Sequence, residues 1–161
     1  MEDLQKSSRR VQEFLNEKGI ALKVRELQDS TRTVEEAAQT IGVLPGQIVK
    51  SMIFQGKETG KPILIIASGC NRVPEKKMAQ WIGEPLVRPD AKFVLEVTGY
   101  AIGGIPPIAH ATPLETWIDK DLYQYDEVWA AAGTPFSVFP LHPDQLVPLT
   151  NGTVICWTEQ E

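Results

Sequence analysis

The sequence predicts a compact mixed α/β domain, and three observations carry that prediction. Short candidate strands and short candidate helices are interspersed without regular strand–helix–strand alternation, which argues against a doubly wound parallel sheet. One apolar run, Pro62-Ile63-Leu64-Ile65-Ile66-Ala67, reads as a strand covered on both faces. Finally, 161 residues at 42% hydrophobic content are enough for one core of ordinary size. Residues 1–161 are therefore read as one domain.

The elements follow in order. Asp3–Lys18 places Leu4, Val11, Phe14 and Leu15 near helical spacing, and Gly19 is a C-terminal stop. Within it, Ser7-Ser8-Arg9-Arg10 reads as a solvated face. Ile20–Leu27 alternates as a strand. Thr33-Val34-Glu35-Glu36 is a capping box, opening a short helix that buries Val34, Ala37, Ala38 and Ile41 and stops at Gly42. Pro45-Gly46 is a turn, Ile48–Gln55 a strand, and Gly56–Gly60 a polar hairpin loop. After Pro62–Ala67 and the loop Ser68–Val73, Pro74 opens a helix running to Gly83. Asp90 caps a helix carrying Phe93, Val94 and Val97. Strand candidates are Ile108–Ala111, Pro113–Ile118, Glu127–Ala131 and Ser137–Leu141. His142-Pro143-Asp144 introduces a helical turn to Leu149, Asn151-Gly152 is a hairpin-grade turn, and Thr153–Thr158 is the closing strand.

Composition excludes several classes. No apolar run approaches the roughly 20 residues a spanning helix needs, and the polar start Met1-Glu2-Asp3-Leu4-Gln5-Lys6 lacks a signal peptide's apolar region. Cys70 and Cys156 make no zinc spacing and no disulfide framework, so reduced thiols in the cytoplasm are expected. No set of His, Cys, Asp and Glu has metal-ligand spacing, and neither a metal nor a cofactor is expected. A net charge of −5 argues against tight, unspecific nucleic-acid binding while leaving room for a local basic patch.

One stretch holds the densest chemistry: Thr98-Gly99-Tyr100-Ala101-Ile102-Gly103-Gly104-Ile105-Pro106-Pro107-Ile108-Ala109-His110. Its glycines and prolines forbid a helix or a central strand and predict a stiff loop with backbone N–H groups free to point at something. A rigid connector and a cradle for an anion or carbonyl are both open from spacing alone. It is no phosphate loop, having neither a Gly-Lys-Ser/Thr ending nor G-x-G-x-x-G.

Gly103-Gly104-Ile105-Pro106-Pro107 fits G-x-x-x-P and resembles the loop of the YbaK / prolyl-tRNA synthetase insertion-domain family, the editing deacylases of aminoacyl-tRNA. Ile48-Val49-Lys50-Ser51-Met52-Ile53-Phe54 resembles that family's lysine-bearing strand. Ala131-Ala132-Gly133-Thr134-Pro135 looks like its small-residue turn. The likeness runs from about Thr31 to Thr150, and the three pieces in this order are far more specific than any one. The resemblance implies a mixed, mostly antiparallel curved sheet with surrounding helices. It implies hydrolysis, in trans, of the ester of a mischarged tRNA, most simply tRNA(Pro) carrying a small wrong amino acid. The partners would be the tRNA's 3′ adenosine and a synthetase. Lys50, Gly103 and Gly104 take the catalytic positions; Ser68, Ile105, Pro107, His110 and Gly133 surround the substrate.

From its strand alone, Lys50 either faces solvent or enters a lined cavity. The resemblance makes it the site lysine, a point charge that holds the terminal phosphate or ribose. Ser51 faces the other side of a regular strand. His110 orients the loop or a water, or is structural; His142 is structural or exposed. Cys70 follows the strongest strand, but Ser68-Gly69-Cys70 is no nucleophile elbow, and Cys156 belongs to the core. Arg72, Lys76, Lys77, Arg88 and Lys92 form a diffuse positive region. Trp81, Trp117, Trp129 and Trp157 read as packing, without basic-aromatic interleaving. Two departures from the family, Ala109 where many members have glycine and Thr134-Pro135 in the turn, bear on which amino acid the pocket takes. The rival readings are a non-catalytic tRNA-end or nucleotide-binding module and a thiol hydrolase using Cys70.

Overall fold

The computed structural model describes residues 5–157. Helix α1 (Lys6–Glu17) ends as predicted: Gly19 N–H reaches Asn16 O at 3.0 Å and Ile20 N–H reaches Leu15 O at 3.0 Å. That pair of bonds satisfies two orphan carbonyls of the last turn. Asp3 and Leu4 lie outside the described residues. Of the expected strand over 20–27, only Arg25–Glu26 (β1) is laddered to another strand, with one further bond from Leu27 N–H to Phe136 O at 2.7 Å. The reason is local. The Gln12 amide donates to Leu22 O at 3.0 Å and accepts from Val24 N–H at 2.8 Å, so one side chain does what a second strand would do.

Helix α2 (Val34–Ile41) is capped by Thr33, whose hydroxyl accepts from Glu36 N–H at 3.1 Å, and closes at Gly42. Strands β2 (Ile48–Gly56) and β3 (Pro62–Ser68) form the central hairpin, paired over seven residues. Then come α3 (Glu75–Ile82), β4 (Leu86–Val87), α4 (Ala91–Thr98), β5 (Glu115–Asp119), β6 (Val128–Ala131), β7 (Ser137–Leu141), α5 (Leu146–Thr150) and β8 (Thr153–Ile155). The sheet order is β1-β7-β6-β2-β3-β5-β8, with β4 on β2. Pairs β1–β7, β2–β3, β2–β4 and β6–β7 are antiparallel; β2–β6, β3–β5 and β5–β8 are parallel. The mixed α/β fold with helices around the sheet is therefore what the chain adopts.

β3 is covered on both faces. Leu64 and Ile66 join Val11, Leu15, Val94, Tyr100 and Leu146 in the main core, while Ile63, Ile65 and Ala67 pack with Phe54, Met78 and Trp157. A third cluster seats α2 on the sheet through Ala37, Ala38, Ile48, Trp129 and Val138. Three expectations need correction. Residues 108–111 form no strand: Tyr100 Oη donates to Ala109 O at 2.9 Å, and Ala111 N–H bonds to Thr98 O at 3.0 Å, folding the segment back on the end of α4. The closing strand stops at Ile155, leaving Cys156 half-buried beyond it; Thr158 lies outside the described residues. Ser7–Arg10 is not a solvated face, since Ser8 is fully buried and Arg10 lies 4.6 Å from the Tyr100 ring centroid and donates to Gly99 O.

Ser8 is buried because it closes a polar knot. Its hydroxyl donates to Ser137 Oγ at 2.9 Å; Ser137 Oγ donates to Ala132 O at 3.0 Å and accepts from Thr134 N–H at 3.2 Å. This ties α1 to the turn between β6 and β7. Ser137→Ala should cost about 1–3 kcal/mol, because it leaves buried donors without an acceptor. Urea unfolding checks this; an unchanged midpoint would show that the knot contributes nothing.

Candidate active site

β2 is paired with β3 along nearly all its length, but with β6 only at Ile48–Trp129 and Val49–Ala130. On that edge the next pairing is with β4, at Gln55 and Gly56. Among the described residues, no strand covers this edge of β2 from Lys50 to Phe54. A cavity of about 270 Å³ opens there. Its walls are one face of α2 along its whole length (Val34, Ala37, Ile41), the start of β2, residues Trp129, Ala131 and Val138, and the loop residues Ile102, Gly103 and Ile105. The sequence brought Lys50 and the glycine–proline loop together only through resemblance; the fold places them on one cavity.

Among the described residues two cations line it, Lys50 and Arg32, and no carboxylate, histidine or cysteine does. Lys50 Nζ donates to Asn71 O at 3.1 Å. Asn71 is itself held: its amide donates to Asp119 Oδ2 at 2.8 Å and to Asp121 Oδ2 at 2.8 Å. Asp119 is fully buried and also accepts from the N–H groups of Ser68 at 3.0 Å and Asp121 at 2.9 Å. The lysine is thus anchored on a carbonyl whose position a buried carboxylate fixes. No salt bridge engages Arg32 or Lys50 among the described residues. The chain is acidic overall, yet this cavity is locally positive.

The glycines divide into two kinds. Gly103 lines the cavity at φ 105°, and a Cβ there would stand 3.1 Å from Arg32 Cγ. Its N–H has no hydrogen-bond partner among the described residues. Gly104 sits behind the wall. Its N–H bonds to Ala101 O at 3.3 Å, its carbonyl accepts from Gly133 N–H at 2.8 Å, and a Cβ would meet the Thr134 backbone at 2.7 Å. Gly133, at φ 102°, lets Ser7 approach where a Cβ would stand 2.8 Å from its backbone. Gly104 and Gly133 are therefore the brace that presses the loop against the β6–β7 turn. Gly103 and Ile105 face the cavity.

The other expected site residues lie elsewhere. Ser68 is buried at the end of β3, its hydroxyl donating to Gly46 O at 2.7 Å. Pro107 is buried under the loop. His110 does not line the cavity; its Nε2–H donates to Pro106 O at 2.7 Å and clamps the loop's second half. Ala109 takes φ 65°. That left-handed geometry favours glycine and costs Ala109 some strain. Cys70 is exposed and has Ser68 Oγ at 3.5 Å and Asn71 Oδ1 at 3.8 Å as neighbours, with no imidazole in reach. His142 caps a short turn by accepting from Asp144 N–H at 3.1 Å. Arg88 of the diffuse positive region pairs with Glu75 at 2.7 Å, and none of that region lines the cavity. Sequence reasoning missed Arg32, which the capping box next to it concealed, and gave Trp129 only a packing role.

Burial pulls the His110 pKa below the usual histidine value of about 6.5, and its bond to Pro106 opposes this only in part. The folded chain then takes up a proton less readily than the unfolded chain, so stability falls as pH drops below about 6.5. Between pH 7.5 and 5.5 the melting temperature of the wild type should fall more than that of His110→Gln. Equal losses would contradict this account of the clamp.

Among the described residues, no group of three or more His, Cys, Asp or Glu could hold a metal ion, and no helix is long and apolar enough to cross a membrane. The family model for the aminoacyl-tRNA editing domain matches residues 28–149. The chain is 38% identical to YwhH of Bacillus subtilis (strain 168) over 123 residues, 76% of this chain and 78% of that one. It is 29% identical over 121 residues to EbsC of Enterococcus faecalis (strain ATCC 700802 / V583), a candidate Cys-tRNA(Pro)/Cys-tRNA(Cys) deacylase, covering 74% of this chain and 73% of EbsC. A crystal structure described as a candidate trans-editing enzyme for prolyl-tRNA synthetase superposes with a TM-score of 0.91 at 46% identity, covering 98% of this chain and 100% of the other. The matched segment contains both the lysine strand and the glycine–proline loop that enclose the cavity, and the chain belongs to the aminoacyl-tRNA editing domain family.

Proposed function

We propose that this chain, working as one domain in trans and in the cytoplasm, hydrolyses the ester of mischarged aminoacyl-tRNA, removing a small wrong amino acid from tRNA(Pro). The observation that carries the reading is that Lys50 and Gly103 border one small, mostly apolar cavity. The relatives' descriptions support the substrate class. On this reading the partners are the aminoacylated 3′ end of the tRNA and the synthetase whose errors are cleared.

The cavity's chemistry suits an already activated ester. Among the described residues no cysteine, histidine or carboxylate lines it, and on this reading a water attacks the acyl carbon. The bond from that carbon to the ribose oxygen breaks, and the ribose oxygen takes up a proton. The vicinal ribose hydroxyl orients the water. Lys50 holds the phosphate or ribose of the terminal adenosine, and Gly103 N–H is the donor nearest the developing oxyanion. Gly104 contributes by bracing that loop. Alignment and one such donor supply a few kcal/mol. Selection comes from size: the apolar walls admit a small side chain and exclude a larger correct one.

That no side-chain base among the described residues lines the cavity also favours a second reading, a tRNA-end-binding module without turnover. Lys50→Ala separates the two. It should lower the deacylation rate about 100-fold, in line with loss of a positioned electrostatic contact, while the melting temperature stays within a few degrees. Wild-type protein that binds the charged tRNA without releasing amino acid would establish the binding module instead. The reading routes no step through a metal, so EDTA should leave the rate unchanged; inhibition that added zinc restores would overturn that part.

A further inference from the structure

Resting on the reading that the cavity takes the aminoacylated end of a tRNA, we infer that Arg32 binds the phosphate on the 5′ side of the terminal adenosine, which leaves Lys50 to the ribose and the ester. Arg32 lines the cavity just before the Thr33 cap of α2. The backbone there is well held. Thr31 N–H and Oγ1 both donate to Pro135 O, at 2.6 and 2.9 Å, and Arg32 N–H donates to Ser30 Oγ at 3.2 Å. The Arg32 side chain lies along Gly103: a Cβ there would stand 3.1 Å from Arg32 Cγ, 3.2 Å from Nε and 3.4 Å from Cδ. The glycine thus leaves room for the arginine stem, and the guanidinium starts beside the loop residue whose N–H is free.

Arg32 is exposed, and among the described residues its guanidinium makes no hydrogen bond, ion pair or ring contact. Arg10, Arg25 and Arg88, by contrast, lie over the rings of Tyr100, Trp129 and Phe54. Glu36 of α2 gives its carboxylate to the Ser30 hydroxyl at 2.8 Å and does not pair with Arg32. The planar fork of donors is left for a ligand, and a phosphate matches it. In a chain of net charge −5, an uncompensated guanidinium on a cavity wall is a local site for an anion. A second observation narrows the anion to a nucleotide. Ile102, next to Gly103, also lines the cavity and is 52% exposed. A large apolar side chain left uncovered beside a free guanidinium suits a ligand that offers a phosphate and the flat face of a base together. In the terminal adenosine one ribose separates the ester from the 5′ phosphate. With the ester at Gly103 N–H, the phosphate falls to the arginine beside it. The apolar stretch of Val34, Ala37 and Ile41 is left to the amino-acid side chain.

The experiment measures Kd for a non-hydrolysable seryl-adenosine amide with a free 5′ hydroxyl and for the same amide carrying a 5′ methyl phosphodiester. Wild type, Arg32→Gln and Lys57→Gln are compared, all checked for folding by circular dichroism. Lys57 follows the end of β2 remote from Lys50 and does not line the cavity, so its variant loses the same charge elsewhere. Wild type should bind the diester about tenfold more tightly, the size of one charge-assisted contact. Arg32→Gln should weaken the diester alone and bring the two constants together, while Lys57→Gln should keep the gain. The inference is overturned by a wild type that gains nothing from the phosphate, by a gain that survives in Arg32→Gln, or by equal weakening of both ligands in that variant. Failure of wild type to bind either ligand at millimolar concentration also overturns it. Release of amino acid from charged tRNA(Pro) is measured beside the titrations. Release without any phosphate gain overturns the inference and leaves the deacylase reading standing. A gain lost only in Arg32→Gln, with no release from any charged tRNA(Pro), upholds the inference and overturns turnover.

Discussion

The site depends on one feature of strand pairing: β6 runs alongside β2 for two residues and then leaves it. A longer pairing would fill the edge of β2 with a neighbouring backbone and close the cavity. The departure is set by the turn after Ala131, where Ala132, Gly133 and Thr134 are drawn onto α1 by the Ser137–Ser8 knot. The space left is then walled by the glycine–proline loop, which Gly104 and Gly133 tie to the same turn through one backbone hydrogen bond of 2.8 Å. Helix α1, the β6–β7 turn and the loop thus form a single support whose inner surface is the cavity wall. A strand edge that would otherwise invite pairing is covered and put to use.

Charge is arranged with the same economy. Asp119 is fully buried, but three N–H donors satisfy its carboxylate, so its burial is tolerated. Its effect is felt two contacts away, where the Asn71 carbonyl it positions holds Lys50 Nζ. The carboxylate itself does not line the cavity. Separating the anchor from the cation in this way leaves the ammonium's remaining donors for a ligand, which a direct lysine–carboxylate pair would not.

Much of this was legible in the sequence where the cause is local. The Thr33 cap, the stops at Gly19 and Gly42, and the doubly buried Pro62–Ala67 strand follow from residue type and spacing, and the structure has all of them. What escaped has distant causes. The segment over 20–24 alternates like a strand, yet its partner is a glutamine side chain from α1. Ser7–Arg10 looks like a polar face, but Ser8 meets a partner 129 residues away. The expected strand at 108–111 fails because Ala109 takes a left-handed φ of 65°, something an alanine gives no hint of. Of the residues expected from resemblance, Lys50, Gly103 and Ile105 line the cavity, while Gly104, Gly133 and Ser68 do not. Arg32 and Trp129 carried no signal, since only the fold brings them to the same space.

The central claim is that the cavity between α2, the open edge of β2 and the glycine–proline loop receives the aminoacylated adenosine. Titration of 15N-labelled protein with a non-hydrolysable seryl-adenosine amide tests it directly, because the four tryptophans give four separate indole signals. The account predicts that the Trp129 indole and the backbone amides of Ser51, Gly103 and Ile105 shift together along one saturable curve, while the indoles of Trp81, Trp117 and Trp157 stay in place. Saturable shifts confined to the surface around Cys70 or α3, with the cavity amides unmoved, would contradict it.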